Sequence, residues 1–246
     1  MIGIIGGTGL EKNNILQDPE IISLSTKYGS PSSKILTGYI SDKKVGIISR
    51  HGTDHSITPT NVNNRANIQV LKDLGCKKII ATTACGSLRE NIKPGDFSIA
   101  DQFIDFTRHR IITFYDNFEN GNIKHCPMGD PFDKELRKKI ENAAKDLNIE
   151  IHKKGTIVTI EGPRFSTKAE SNMFRMLGAD LINMSTAPEA ILANEAELKY
   201  AVIAIATDYD CWKDDEESVS MEMVLANFRK SMNKLIELLI NTIKII

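Results

Sequence analysis

Tyr200-Ala-Val-Ile-Ala-Ile-Ala206 is a continuous apolar run with no alternation. A segment of that length and composition reads as a strand buried on both faces, the environment of a parallel sheet. Similar runs recur at Met1-Ile-Gly-Ile-Ile5, Val45-Gly-Ile-Ile-Ser49, Lys78-Ile-Ile-Ala-Thr-Thr83, Pro94-Gly-Asp-Phe-Ser-Ile-Ala100, Gly155-Thr-Ile-Val-Thr-Ile160 and Asp180-Leu-Ile-Asn-Met184. Between them lie helical patterns at residues 61–74, 131–147, from Thr167 to Gly178, and from Thr186 on, with a long helix closing the chain. Thr167 with Glu170, and Thr186 with Glu189, have capping-box spacing. Strands alternating with helices predict an α/β fold: a twisted, mostly parallel but mixed β-sheet flanked by helices. No repeat, low-complexity tract or linker divides residues 1–246, so one domain is expected.

In such sheets ligands bind outside the carboxyl ends of the strands. The run at 200–206 is followed by Thr207-Asp-Tyr-Asp-Cys-Trp212. Period-two spacing could put Asp208 and Asp210 on one side of the strand end. Two acids buried together cannot both ionise cheaply, so one pKa should rise. The competing reading, a solvated turn, weakens as other strand ends are added. Gly6-Gly7-Thr8-Gly9 follows the first strand, where the glycines serve either a tight turn or an anion. Arg50 offers a planar fork and His51 a further donor after the strand at 45–49. Thr83 ends the strand at 78–83, before Ala84-Cys-Gly-Ser87. Ser185 sits between a strand and a helix start, a favourable place for an anion. Thr8, Arg50, His51, Thr83 and Ser185 could donate to one anion.

His51, Asp54 and His55 also suggest a metal cluster, but residues 52–59 read as loop with no helical spacing to fix ligands. No metal site and no cofactor are expected. The net charge of −1 gives no bias toward nucleic acid or membrane. Cys76, Cys85, Cys126 and Cys211 lack zinc or disulfide spacing. No basic segment precedes a long apolar one at the N-terminus, so neither a signal peptide nor a span is expected, and the cytoplasm is the default location. Residues 102–131 interleave Phe103, Phe106, Phe114, Tyr115 and Phe118 with charges, a long excursion of the kind that carries function or partner contacts. The apolar stripe of the last helix reads as core.

Ile4-Ile-Gly-Gly-Thr-Gly-Leu10, Ser49-Arg-His-Gly52, Ala81-Thr-Thr-Ala-Cys-Gly-Ser-Leu-Arg89, Thr159-Ile-Glu-Gly-Pro-Arg-Phe165, Asn183-Met-Ser-Thr-Ala-Pro-Glu189 and Ala206-Thr-Asp-Tyr-Asp-Cys-Trp212 together resemble the trimeric purine nucleoside phosphorylase family, in its methylthioadenosine phosphorylase branch. The likeness is collinear from Ile2 to about Leu225. It implies phosphorolysis of a purine nucleoside with inorganic phosphate as co-substrate. By the same resemblance Thr8, Arg50, His51, Thr83, Ala84 (through its backbone) and Ser185 would hold phosphate. Met184 would pack under the ribose and Phe165 against the base. Asp208 would protonate N7 of the leaving purine, Tyr209 would contact the substrate, and Asp210 would accept from a 6-amino group. Ser166, Met221 and Leu225 would line the substrate pocket, and His125 would reach the neighbouring subunit's pocket. Met221 is bulkier than the family pattern, and the last helix ends at Ile246, earlier than in longer relatives. A broader enzyme acting on adenosine, inosine or guanosine is the alternative. A nicotinamide-dependent dehydrogenase would want a G-x-G-x-x-G fingerprint, which is absent. A non-catalytic nucleoside-binding module would not need five anion donors, and a nucleosidase would use water instead of phosphate.

Overall fold

The apolar runs become strands of one mixed sheet in the computed structural model, which describes residues 1–6, 15–216 and 219–246. Thr8 therefore lies outside the described residues. In chain order the strands are β1 (Ile2–Gly6), β2 (Gln17–Ile22), β3 (Ile35–Ile40), β4 (Lys43–Ser49), β5 (Lys78–Ser87), β6 (Phe97–Ile99), β7 (Gln102–Phe106), β8 (Ile151–His152), β9 (Thr156–Ile160), β10 (Leu181–Asn183) and β11 (Lys199–Asp208). The helices are α1 (Asn64–Asp73), α2 (Lys134–Asp146), α3 (Lys168–Met176), α4 (Thr186–Glu195) and α5 (Met221–Lys244).

The centre of the sheet is parallel: β1 lies between β4 and β5, and β5 pairs along its length with β11. Successive side chains of these strands face opposite ways. Ile5, Ile48, Ile79 and Val202 enter a core with Ile68 and Leu71 of α1 and Leu192 of α4. Ile4, Ile47, Ile80 and Ile203 enter the opposite core, with Ile140 of α2 and Leu235 and Leu239 of α5. Helices thus cover both faces, which is what strands without a polar face require.

Several local expectations change. The pair β2–β3 was not foreseen, because Gln17-Asp-Pro-Glu-Ile-Ile22 is an exposed edge strand with no buried face to impose a pattern. Helix α1 begins at Asn64, not at 61; residues 59–61 form a 3-10 turn, and the Asn63 side chain caps the helix by accepting from the Ala66 N–H at 3.1 Å. At α3 the Thr167/Glu170 capping box is present in both directions. At α4 it is not: Glu189 leaves the helix end for a buried ion pair. The excursion opens with a further strand, β7, parallel to β9. Its next turn is held by Glu161, which accepts from Thr60 Oγ1, from the N–H groups of Arg108 and His109, and from Arg110 Nε. Burial alone would raise the Glu161 pKa, but these donors hold it at about 2. No helix among the described residues is long and apolar enough to cross a membrane.

Candidate active site

Strand β5 does not end at Thr83, as its sequence suggested; it runs to Ser87 and changes neighbour on the way. Its ladder to β1 stops at Ala81, and its ladder to β10 starts at Gly86. On that side residues 82–85 have no ladder partner among the described residues, and a crevice opens there. The cavity in it measures about 250 Å³. Arg50, His51, Thr83, Ala84, Ser185, Asp208 and Asp210 all line it. Phe165, Ser166, Met184, Met221 and Leu225 complete the wall with Ile160, Pro163, Val224 and Phe228. The first turns of α5 are thus cavity wall, while its later turns are core, so only part of its stripe was read correctly.

The two acids reach the cavity by a different route from strand alternation. Pairing of β11 with β5 slips between Ala206 and Asp208, so Thr207 is a bulged residue that re-aims the segment after it. Asp210 then adopts a left-handed backbone, φ 50°, and turns back over the strand end. Its N–H donates to Asp208 Oδ1 at 2.8 Å, and Thr207 Oγ1 donates to Asp208 Oδ2 at 2.8 Å. Ser166 Oγ donates to Asp210 Oδ1 at 3.1 Å. Glycine at residue 86 leaves room for this approach: a Cβ there would sit 3.0 Å from Asp208 Oδ1 and 3.2 Å from Asp210 Cβ, so the acids would have to give way by a few tenths of an ångström. Both acids are 6% exposed. The Asp208 pKa rises to about 6, chiefly through burial, against the two donated hydrogen bonds; the charge of Asp210 adds least. One pKa is raised as expected, but desolvation is the main cause and like-charge repulsion the smallest.

Arg50 is placed differently from expectation. Its fork closes on Glu189, a fully buried residue of α4: Nε donates to Oε1, and Nη2 to Oε2 at 3.1 Å. Nη1 donates to the Thr82 carbonyl at 3.0 Å, and Nη2 also lies 3.5 Å from the Ile5 carbonyl. Of five guanidinium hydrogens, one on Nη1 has no partner among the described residues. A planar fork for phosphate is therefore replaced by a braced cation with one N–H unpartnered among the described residues. Tyr200 completes the brace by donating to Glu189 Oε2 at 2.8 Å.

His51 also differs from expectation. Its Nδ1 lies 2.9 Å from the Ile57 carbonyl, an acceptor only, so Nδ1 carries the proton. Burial, followed by the Arg50 charge, pushes its pKa down to about 4. At neutral pH its Nε2 is an acceptor, where a donor was expected. His55 stacks on it, ring centroids 4.5 Å apart, and lines the same cavity. Among the described residues no group of three His, Cys, Asp or Glu side chains could hold a metal ion.

Tyr209 is misplaced by the sequence reading. It packs edge-on against Trp212 at 6.0 Å, under Lys213, and is not among the residues that line the cavity. His125 lies in a separate concavity with Phe103, Tyr115, Phe118, Cys126 and Met128. Asn183 has no role in the sequence reading, which takes Glu189 only as a helix cap and His55 only as a candidate metal ligand. Asn183 joins β10 to α4, and its Nδ2 lies 3.1 Å from Thr83 Oγ1. No sequence pattern marks a buried asparagine; Glu189 carried a misleading one.

A model of the phosphorylase superfamily matches residues 1–244. The S-methyl-5′-thioadenosine phosphorylase of Xenopus tropicalis is 51% identical over 98% of this chain and 87% of its own length. That of Ciona intestinalis is 47% identical over 100% of this chain and 88% of its own. The solved structure of methylthioadenosine phosphorylase from Schistosoma mansoni in complex with adenine superposes with a TM-score of 0.94 at 41% identity, over 99% of this chain and 91% of that one. A mutant of the Schistosoma mansoni enzyme, solved in complex with methylthioadenosine, superposes with a TM-score of 0.94 at 40% identity, over 99% of this chain and 90% of that one. A match along nearly the whole chain, on a fold whose strand ends already gather acids and anion donors, makes this protein a member of the phosphorylase superfamily.

Proposed function

We propose that this protein is a pentosyltransferase that splits 5′-methylthioadenosine with phosphate, giving adenine and 5-methylthioribose 1-phosphate. The observation that carries this is one cavity lined both by anion donors and by two buried acids. Phosphate attacks the anomeric carbon from the Thr83, Ser185 and Arg50 side. The C–N bond breaks toward the base, and Asp208 gives N7 its proton as the purine leaves. The oxocarbenium-like sugar gains its counter-charge from phosphate, so the chemistry needs orientation and a dry site and no cofactor. Met184 would pack under the ribose and Phe165 against the base. Met221, Val224 and Leu225 form an apolar wall suited to a methylthio group. Thr8 is assigned to phosphate on the resemblance alone.

The test is release of free adenine from methylthioadenosine, with adenosine, inosine and guanosine run in parallel, with and without phosphate. Phosphate-independent release would make the protein a nucleosidase. A second expected result concerns the base. Asp210 can only accept, which suits a 6-amino group, whereas Asn at 210 can also donate to a 6-oxo group. An unpaired buried polar group costs roughly 1–3 kcal/mol. Asp210→Asn should therefore shift the kcat/KM ratio of inosine to methylthioadenosine by about tenfold or more toward inosine; an unchanged ratio removes Asp210 from base selection.

The proposed assembly is a homotrimer of one-domain subunits, in which His125 would serve a neighbour's cavity. Its support is the aromatic concavity around His125 and the exposed Ile111, Phe118 and Ile123 on the same excursion. Light scattering at assay concentration should find about three subunits; an active monomer refutes this. The proposed location is the cytoplasm, supported by four cysteines that are all free.

A further inference from the structure

We propose that Asn183 is a positioning residue that sets the direction of the hydroxyl hydrogen bonds, so that Thr83 and Ser185 present protons to the phosphate; this rests on the phosphorolysis reading above. The direction is fixed by groups that cannot reverse. Asn183 Oδ1 lies 3.3 Å from the Ser185 N–H and 3.4 Å from the Thr186 N–H, and a backbone N–H can only donate. The oxygen of the amide must therefore face α4, and the NH₂ must face the other way. That NH₂ reaches Thr83 Oγ1 at 3.1 Å and Thr186 Oγ1 at 2.6 Å. It has two hydrogens, and its lone pair is delocalised into the amide, so both hydroxyls accept from it and direct their own protons elsewhere. On the far side, Thr159 Oγ1 accepts from the Ala187 N–H at 3.0 Å and donates to Asn183 Oδ1 at 3.0 Å. The chain runs one way, from the start of α4 through Thr159 and Asn183 to Thr83.

For Thr83 the outlets are the Ala84 carbonyl at 3.1 Å and Ser185 Oγ at 3.3 Å, both on the cavity wall. An anion there offers a stronger acceptor than either. Ser185 is the residue before α4 but makes no side-chain cap among the described residues: the Ala187 N–H it would serve donates to Thr159 Oγ1, and Pro188 has no N–H to offer. Its hydroxyl is left to the cavity.

The test is a double-mutant cycle of Asn183→Asp with Thr83→Val, reading KM for phosphate and KM for nucleoside separately. Aspartate keeps the oxygen that serves α4 but replaces the donor with an acceptor, so Thr83 would turn its proton inward. Asn183→Asp should raise KM for phosphate about tenfold or more and leave KM for nucleoside within about twofold. A negative charge alone would also repel phosphate, but that effect would persist without the Thr83 hydroxyl. With valine at 83 the effect of Asn183→Asp should shrink about fivefold or more. Full multiplicativity, an unchanged phosphate KM, or equal rises in both KM values would overturn the proposal. Asn183→Ala, uncharged, should show the same selective rise and is the variant to read if aspartate prevents folding. Phosphate-independent turnover by the wild type would instead refute phosphorolysis itself.

Discussion

Arg50→Ala is expected to unfold about 6–20 °C below the wild type in a thermal melt, as well as to lose phosphate affinity. The Arg50–Glu189 pair is almost wholly buried, with side chains 3% and 0% exposed. Removing one partner of such a pair leaves an uncompensated charge, which costs about 3–5 kcal/mol, and each kcal/mol moves the midpoint of a chain this size by about 2–4 °C. The phosphate effect is separate and smaller than a bidentate clamp would give, since among the described residues a single Nη1 hydrogen is left without a partner. A charge-assisted bond of that kind contributes about 1.5–3 kcal/mol, or about 10- to 150-fold in KM for phosphate. Replacing the whole buried unit, Arg50→Met with Glu189→Leu and Tyr200→Phe, should restore most of the stability, because a well-packed apolar substitute is often no worse than a buried ion pair. It should not restore phosphate binding. Recovery of both would mean that the cation has no part in holding the anion.

What could be read from the residues depended on how many neighbours had to be known. Asp208 and Asp210 stood out because a polar pair at the end of an apolar run needs only local information. That they meet through a bulge at Thr207 and a left-handed Asp210 depends on the register of β5, which no pattern in β11 encodes. Glu189 satisfied the local rule for a capping box. The tertiary alternative, a buried arginine more than a hundred residues earlier, was the stronger partner. Thr167 and Glu170, with Glu170 also paired to Arg164 on the surface, had no such competitor, and there the local rule held. The edge strand β2 was invisible for the opposite reason: it buries nothing, so no hydrophobic period marks it. Tyr209 looked like a site residue by adjacency, yet the turn at Asp210 sends it into the cluster around Trp212.

Asp208→Ala is expected to lower kcat on methylthioadenosine and adenosine by about 10²–10⁴-fold, the usual size of a general-acid contribution. A purine anion is a poor leaving group, and Asp208 is the acid whose surroundings favour the protonated form: its pKa is raised to about 6, first by burial. In the free enzyme kcat/KM for the nucleoside should then fall as pH rises through about 6, and this limb should be missing from the residual activity of Asp208→Ala. The same shift has a stability consequence whose sign is fixed. The folded pKa lies above the ordinary 3.8, so the proton bound by the folded state favours folding fully below the unfolded value, and that advantage is lost as pH rises through 6. At pH 8 the wild type holds an ionised carboxylate in a buried site that disfavours it, whereas Asp208→Asn is neutral at every pH and can still accept from the Asp210 N–H. Asp208→Asn should therefore be inactive yet melt above the wild type at pH 8, with the difference fading as pH falls from 6 toward 4. The site would then sacrifice stability for an acid held near its working range. A melt in which Asp208→Asn is the less stable protein at pH 8 and gains on the wild type toward pH 4 would mean that Asp208 is held as a carboxylate, and the proton for N7 must come from elsewhere.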